Sequence, residues 1–294
     1  MRVLIIGGTG FIGRYVVRQM ADEGHQVTIF HRGRTTAIFP RTVCEIVDPN
    51  SALPIVRFPN EIMDAAADIV IHTMAMGLAE AKAAVRAFAG NTKRLVVLSS
   101  GDVYRAYGRF IGIEPGPVEE GLLSEDSPLR TVLFPYRKQA PSTEALQYWY
   151  DKILVEQAVL RSETLPATVL RLPKVYGPGG NADLATVYRF RHHPNWRWTH
   201  GYVENVAAAI VLAATSPAAS GRVYNVGEDY TPMVAERLTW MSESKIEPDI
   251  DCANNFAQDI AYDTTRIRRE LAFEEKIPEQ EAILKTLQSN RWNP

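Results

Sequence analysis

A glycine-rich turn near the start of the chain restricts the fold more than any other feature of the sequence. Residues 7–13 read GGTGFIG; they directly follow a short apolar run, Val3–Ile6, and open a segment with apolar residues at helical spacing, Phe11–Glu23. Glycine permits the tight backbone that joins a buried strand to a helix, and Gly13 lets that helix pack closely on the strand. The motif therefore predicts a strand–turn–helix unit at the start of the fold.

Short strands and helices alternate along the chain after this unit. The alternation predicts an α/β fold, a Rossmann-type doubly wound parallel sheet with right-handed crossovers. After Leu172 the pattern loosens, which predicts a smaller C-terminal lobe. Brief apolar runs, typical of strands covered on both faces, are Val3–Ile6, Val27–Phe30, Val43–Val47, Ile69–His72, Leu95–Ser99, Thr168–Leu172 and the late Arg222–Val226; helical spacing is found in Phe11–Glu23, Leu78–Phe88, Thr143–Leu160 and Val203–Ala214.

The glycine turn also predicts where a dinucleotide binds. Gly8 and Gly10 let the backbone approach a pyrophosphate, and the start of the helix supplies free N–H groups and a positive dipole end. A tight turn without a ligand is the simpler alternative, but the order strand, turn, helix, strand favours the dinucleotide. We therefore predict that residues 1–172 plus about 201–227 form the dinucleotide-binding domain, and that about 173–200 plus 228–294 form a smaller substrate-binding lobe.

The end of the second strand bears on which dinucleotide binds. It reads Phe30-His31-Arg32-Gly33-Arg34, with two guanidinium groups and no carboxylate, which favours NADP over NAD. If both arginines are solvated surface charges, NAD is the alternative. The candidate cofactor-binding residues of the first half of the chain are Gly7, Gly8, Thr9, Gly10, Phe11, Ile12, Gly13, His31, Arg32 and Arg34, together with Asp48 and Thr73, which follow two of the predicted strands.

A tyrosine and a lysine four residues apart supply a candidate acid–base pair. Residues 148–152 read YWYDK, and on a helix this spacing places Tyr148 and Lys152 on one face. A nearby ammonium favours the phenolate, so Tyr148 is a candidate general acid or base near neutral pH. Upstream, Leu95–Ser99 runs into Ser100, a candidate hydrogen-bond donor to a substrate oxygen, although a polar turn explains this serine equally simply.

Asp102 lies two residues after Ser100 and has two possible roles. As a base it would remove a proton beside a transient ketone and permit elimination of water. As a cap it would accept hydrogen bonds from local backbone N–H groups. A turn at Gly101 favours the cap.

These motifs together resemble a known family. The chain is similar to an extended, or atypical, short-chain dehydrogenase/reductase of the NAD(P)-dependent epimerase/dehydratase group. The resemblance implies that Ser100, Tyr148 and Lys152 form a catalytic triad and that Lys152 also holds the nicotinamide ribose. It also implies that residues 173–175 lie against the nicotinamide, with Pro173 and Val175 as cofactor contacts. The matching segments are GGTGFIG at 7–13, SSGDVY at 99–104, YWYDK at 148–152, RLPKVYGPG at 171–179, GYVENVAAAI at 201–210 and YNVG at 224–227.

Three departures limit what the resemblance carries over. The segment between the fourth strand and Ser100 is short, which weakens any expectation of the family's helix-bundle dimer, so the oligomeric state stays open. An insertion at 105–141 is either a wall of the substrate cleft or a surface excursion. Trp198-Thr199 replaces the usual Arg-Asp and Glu204-Asn205 the usual acidic pair, so nucleotide-sugar contacts are not transferred.

Composition excludes several classes of function. A formal net charge of −2 provides no basic field for nucleic acid or anionic membranes, and two cysteines do not form a disulfide framework or a metal-spaced pair. We expect a cytoplasmic protein with a small-molecule substrate and no metal, since the adjacent His192 and His193 point apart. The function predicted is hydride exchange at a carbinol or ketone carbon, on a nucleotide sugar or another small polyol or ketone. The alternative is a non-catalytic dinucleotide-sensing regulator or an RNA-binding relative, for which the aromatic-basic stretch 188–198 is the candidate surface.

Overall fold

The computed structural model describes residues 1–250 and 252–291. Within them the chain forms nine strands and eleven α-helices. The strands are β1 (Arg2–Ile6), β2 (Gln26–His31), β3 (Cys44–Val47), β4 (Ile69–His72), β5 (Arg94–Ser100), β6 (Ala167–Leu172), β7 (Lys174–Tyr176), β8 (His200–Tyr202) and β9 (Val223–Asn225). The helices are α1 (Gly13–Asp22), α2 (Asn60–Asp64), α3 (Leu78–Phe88), α4 (Arg105–Phe110), α5 (Leu146–Trp149), α6 (Lys152–Leu160), α7 (Ala185–Arg189), α8 (Val203–Thr215), α9 (Val234–Thr239), α10 (Thr265–Leu271) and α11 (Glu279–Arg291).

Seven strands form one sheet in the order β3-β2-β1-β4-β5-β6-β9. The pairs from β3 through β5 are parallel, with Ile6 of β1 opposite Phe30 on one side and His72 on the other. From β1 the chain winds outward in one direction to β3 and then in the other from β4 to β6. The predicted Rossmann-type doubly wound sheet is confirmed, and each predicted strand lies within two residues of its observed bounds.

Burial on both faces explains why these strands were recognisable. All four residues of β4 and Val3–Ile6 of β1 are buried. On one face α1 covers the sheet with Val16, Val17 and Met20. Each such side chain contributes roughly 1.5–3 kcal/mol when it leaves water, so an apolar run with no polar interruption identifies a central strand.

The chain divides into two compact units. The first consists of Met1–Ser100, Leu133–Arg171 and Ala207–Val223, and holds the large sheet. The second consists of Gly101–Val132, Leu172–Val206 and the described residues from Tyr224 onward, and holds the two-stranded parallel sheet of β7 and β8. None of the helices in the described residues has the length and apolar character required to cross a bilayer.

Much of the insertion is fixed within the second unit by one buried amide. Asn225 of β9 is fully buried, and its Nδ2 group donates to the carbonyl of Leu123 at 2.7 Å. Its backbone N–H donates to Glu125 at 2.8 Å, and Tyr104 donates its hydroxyl to the Asn225 side-chain oxygen at 2.5 Å. Buried polar groups that are all hydrogen-bonded rigidify a structure, so Leu123 and Glu125 anchor this part of the insertion within the second unit.

Candidate functional site

The glycine turn has the geometry that only glycine permits at two of its positions. Gly7 has φ +87°, and a Cβ there would lie 2.3 Å from the hydroxyl oxygen of Thr73. A Cβ on Gly13 would lie 2.4 Å from the carbonyl oxygen of Gly7. Thr73 donates that hydroxyl to the carbonyl of Ile6 at 2.8 Å, so it supports the turn from below. The turn is therefore built by close backbone approach between β1, β4 and α1.

The same turn presents free donors at the start of α1. Within the described residues the backbone N–H groups of Phe11 and Ile12 make no hydrogen bond. A Cβ on Gly10 would meet only the carbonyl oxygen of Gly7, at 3.5 Å, so the space beside this backbone is open. Thr9 is buried and bonds Thr35 at 2.7 Å through the two hydroxyls. Unpaired N–H groups at a helix start beside open space fit the phosphates of a dinucleotide.

The end of β2 carries a carboxylate that the sequence did not reveal. The Nε2 atom of His31 lies 3.0 Å from Oε2 of Glu45 on the neighbouring strand β3. The other ring nitrogen, Nδ1, accepts from the N–H of Gly33 at 3.2 Å. Across the described part of the chain, Arg32 and Arg34 have no carboxylate within 4 Å. Glu45 is thus bound to the imidazole, and both guanidinium groups keep their charge unpaired.

Asp48 follows β3 directly, as predicted. Its N–H donates to the carbonyl of His31 at 3.0 Å, and its carboxylate accepts from the N–H of Asn50 at 3.0 Å. Asp48 is half-buried. These bonds place it at the same end of the sheet as His31 and the glycine turn, where parallel strands present their ligands.

Lys152 lies at the carboxyl edge of the central strands. Only 4% of it is exposed, and its Nζ atom donates to the carbonyl of Ala75 at 2.7 Å and to the carbonyl of Leu98 at 2.9 Å. Leu98 belongs to β5, and Ala75 lies three residues beyond β4. The ammonium therefore bridges the ends of two adjacent strands, two residues before Ser100, which is half-buried at the end of β5.

The loop that supplies the Ala75 carbonyl is itself held firmly. The carboxylate of Glu80 accepts from the N–H groups of Met76 and Gly77 at 2.7 and 2.8 Å, and Asp151 donates its N–H to the carbonyl of Met76 at 3.0 Å. Burial raises the pKa of Glu80. These contacts fix the start of α3 and the start of α6 to the same loop.

A buried histidine beside this loop stays neutral. Burial, and to a smaller extent the charge of Lys152, lowers the pKa of His72 to about 3. Its Nδ1 atom accepts from the N–H of Met74 at 3.2 Å, so the neutral ring carries its hydrogen on Nε2. β4 therefore adds no second positive charge beside Lys152.

Tyr148 and Lys152 do not share one helix, and the prediction of a continuous helix over Thr143–Leu160 is wrong. Tyr148 lies in the single-turn helix α5, and Lys152 is the first residue of α6. Between them Tyr150 and Asp151 are extended, and the Asp151 carboxylate caps α6 by accepting from the N–H of Ile153 at 2.9 Å. The Lys152 ammonium lies 5.8 Å from the centroid of the Tyr150 ring.

Asp102 occupies the turn that follows β5. It lies in a buried single-turn 3-10 helix, Gly101–Val103, and its carbonyl accepts from the guanidinium of Arg130. A Cβ on Gly101 would lie 1.4 Å from the hydroxyl oxygen of Tyr262, so this turn requires glycine. The expected turn at Gly101 is present; the role of the Asp102 side chain stays a prediction.

Pro173 and Val175 lie in the second unit. Val175 pairs with Gly201 across β7 and β8, and a Cβ on Gly201 would lie 2.8 Å from the Pro173 ring. A Cβ on Gly227 would lie 3.6 Å from the Cβ atom of Pro173. Two glycines therefore let Pro173 lie flat against the backbone at the point where the chain leaves β6.

The aromatic-basic stretch 188–198 packs its rings mostly against other side chains of the described residues. Trp196 is buried, donates its indole N–H to the carbonyl of Gln258 at 2.8 Å, and stacks on Phe110 with 4.8 Å between ring centroids. His193 stacks on Phe256 at 3.4 Å, and His200 donates from Nδ1 to the carbonyl of Trp198. Rings engaged in this way are not displayed for stacking on nucleic-acid bases.

Comparison with curated proteins gives partial matches. The chain is 28% identical over 190 residues to 2'-dehydrokanamycin reductase of Streptomyces kanamyceticus, covering 62% of this chain and 45% of that protein. Over 34 residues it is 53% identical to the chloroplast stem-loop binding protein of 41 kDa b of Arabidopsis thaliana, 12% of this chain and 9% of that protein. The chain thus spans less than half the length of these relatives.

Solved structures share the fold along the whole chain. Pal from Bacillus thuringiensis has a TM-score of 0.73 at 17% identity, with all of both chains covered. MoeE5 in complex with UDP-glucuronic acid and NAD has a TM-score of 0.68 at 21% identity, again with full coverage. The model of the NAD dependent epimerase/dehydratase family matches residues 3–227. The resemblance inferred from the motifs is confirmed, and the chain belongs to the NAD dependent epimerase/dehydratase family.

Proposed function

We propose that this chain is an NAD(P)-linked enzyme that exchanges hydride with a carbinol or ketone carbon of a small substrate. The observation that carries the proposal is the position of Lys152, whose buried ammonium bridges the carbonyls of Ala75 and Leu98 beside Ser100. Ligands of open α/β sheets bind at this carboxyl edge. These two hydrogen bonds hold the ammonium at the edge where such a ligand would lie.

Each of the chain's own residues then has a defined task. The N–H groups of Phe11 and Ile12 bind phosphate, and Lys152 binds a ribose hydroxyl. Ser100 orients the substrate oxygen, and Tyr148 takes or gives the hydroxyl proton. The nicotinamide ring, when bound, accepts or supplies the hydride. Because His72 is neutral, β4 adds no second cation beside Lys152.

We propose NADP as the preferred form of the cofactor. The support is the pair of unpaired guanidinium groups on Arg32 and Arg34, which match the geometry and charge of a phosphate monoester. The Glu45 carboxylate would oppose a 2'-phosphate, but it lies against His31. A dinucleotide that lacks this phosphate, NAD, gains nothing from either arginine.

The substrate class we propose is a ketone or secondary alcohol of a sugar-like polyol. Support comes from the names of similar proteins: one reduces 2'-dehydrokanamycin, and one was solved with UDP-glucuronic acid. Both compounds are polyols with ring carbinol carbons. Because Trp198-Thr199 replaces the family's usual Arg-Asp, the test below includes substrates with and without an attached nucleotide.

The test follows nicotinamide absorbance in a panel of keto-sugars, nucleotide sugars and simple ketones. Tyr148→Phe should abolish turnover and leave cofactor affinity within about twofold, because only the phenol proton is lost. Tyr150→Phe is the discriminating variant, since the Tyr150 ring lies 5.8 Å from the Lys152 ammonium. Loss of turnover in Tyr150→Phe with full activity in Tyr148→Phe would move the acid–base role to Tyr150. Binding of a dinucleotide without turnover across the panel would favour a regulator.

A further inference from the structure

The segment that carries Tyr148 is not held by a regular helix. Helix α5 has four residues. The N–H of Tyr148 donates to the carbonyl of Ala145 at 3.0 Å, which closes a turn between residues three apart. The chain then extends through Tyr150 and Asp151 before α6 begins. A single turn cannot form the hydrogen-bond ladder that fixes longer helices. Other contacts must therefore hold the Tyr148 ring in place.

A second segment is tied to the same place by Asp151. One carboxylate oxygen of Asp151 caps α6, and the other accepts from the N–H of Phe134 at 2.5 Å. Phe134 has φ +56°, and its carbonyl accepts from the N–H of Arg137 at 3.1 Å. The turn Phe134–Arg137 is thereby fixed beside the start of α6, and it turns Arg137 towards α5.

Arg137 contacts Tyr148 in two ways. Its guanidinium carbon lies 4.7 Å from the centroid of the Tyr148 ring, and its Nε atom donates to the Tyr148 carbonyl at 3.1 Å. The same group lies 3.6 Å from the Phe134 ring and 5.1 Å from the Trp149 ring. In the described residues no carboxylate lies within 4 Å of it. The cation is therefore held by aromatic faces and one carbonyl.

We propose that Arg137 is the positioning residue for Tyr148, resting on the acid–base role proposed for that tyrosine. The guanidinium stacks on the ring and binds the backbone of the same residue, so both the ring and its Cα are restrained. Only a planar fork does both at once; an ammonium has neither the flat face nor the directed Nε–H. Arg137 thus replaces the missing helical turns between Tyr148 and Lys152.

The first test observes the Tyr148 ring directly and needs no substrate. The chain has 12 tyrosines; with ring-labelled [3,5-13C]tyrosine, the NMR signal absent in Tyr148→Phe identifies Tyr148. The nearby Trp149 ring, 4.9 Å away, displaces that signal from the position of a free tyrosine. In Arg137→Gln and in Arg137→Lys it should move to the free position, while signals remote from α5 stay in place.

Arg197→Gln is the matched control, because this arginine lies 5.6 Å from the ring of the exposed Tyr230. It should change the Tyr230 signal and leave Tyr148 unchanged. If Arg137→Gln unfolds, all signals collapse together, and Arg137→Lys then decides the question. A Tyr148 signal that keeps its wild-type position in the folded Arg137 variant overturns the proposal.

The second test separates positioning from a general structural effect. With a ketone that the wild type reduces, Arg137→Gln should lower kcat about 100-fold, as expected for misplacement of a reacting group by about 1 Å. Cofactor affinity should stay within about twofold. Equal losses in kcat and cofactor affinity contradict the proposal. Should Tyr148→Phe retain turnover, the proposed function of Tyr148 fails, whereas the NMR result still decides whether Arg137 holds the ring.

Discussion

Replacement of Glu156 by glutamine tests the buried ion pair that joins α6 to the large sheet. Glu156 of α6 and Arg171 of β6 are each 4% exposed as side chains. Arg171 donates from Nε to Oε1 at 3.0 Å and from its terminal nitrogen to Oε2 at 2.8 Å, and Ser99 of β5 donates its hydroxyl to Oε1 at 2.5 Å. One carboxylate therefore links α6, β5 and β6 directly below Ser100.

The size of the effect follows from what glutamine leaves behind. Removing one partner of a buried pair costs about 3–5 kcal/mol, because the remaining charge is buried without compensation. Glutamine keeps one oxygen that accepts from Arg171, so we expect the lower end, about 3 kcal/mol. For a folding unit of this size that loss corresponds to a fall in Tm of roughly 6–12 °C.

Urea unfolding followed by circular dichroism measures this loss. Glu281→Gln is the matched control, since it removes the exposed pair of Glu281 with Lys285, at 2.8 Å. Exposed pairs of this kind contribute nothing measurable to the stability of many proteins. The double variant Glu156→Leu/Arg171→Met should be more stable than Glu156→Gln, because it leaves no buried charge. A loss in Glu156→Gln no larger than in Glu281→Gln would refute the reasoning.

Three further predictions concern protonation and charge. His72 has a pKa of about 3 in the folded chain and near 6.5 when unfolded, so the unfolded chain takes up the proton first, and His72 alone should lower the free energy of unfolding by about 2 kcal/mol from pH 7 to pH 5. In urea titrations His72→Asn should remove this contribution and leave that of His200, whose pKa burial also lowers. Arg32→Ala/Arg34→Ala should lower NADP affinity about tenfold or more in calorimetry and spare NAD; equal wild-type affinity for both cofactors contradicts this. Asp102→Asn should retain both hydride transfer and exchange of solvent deuterium into substrate, as expected of a buried turn residue; loss of exchange alone would assign Asp102 as a base.

The sheet was predictable because its determinants are local. The predicted run Ile69–His72 equals β4: all four side chains are buried, and the three before His72 are apolar. The glycine turn was predictable for a related reason: Gly13 is required by the carbonyl of Gly7 in the same strand–turn–helix unit, and Gly7 by Thr73 beside it. Helix α1 begins at Gly13 rather than Phe11, because residues 11–12 still belong to the turn.

The break between Tyr148 and Lys152 was only partly visible in the sequence. Aspartate directly before an apolar helical run is a favoured N-cap, and Asp151 is followed by Lys-Ile-Leu-Val. The residue that makes the break stable is Phe134, whose N–H binds the second carboxylate oxygen from 17 residues away. Spacing alone cannot distinguish a four-residue step along a helix from a four-residue step across a cap.

The charge at the end of β2 depends in part on a residue from another strand, which the order of the sequence does not show. The parallel register places Glu45 opposite Ile29, so its carboxylate reaches the end of a strand that has no acid of its own. His31 then determines what that carboxylate does. Because Nδ1 accepts from the N–H of Gly33, the ring hydrogen lies on Nε2 and is donated to Glu45. This bond occupies Glu45 with the imidazole, so the charge at the end of β2 depends on His31 as well as on the arginines.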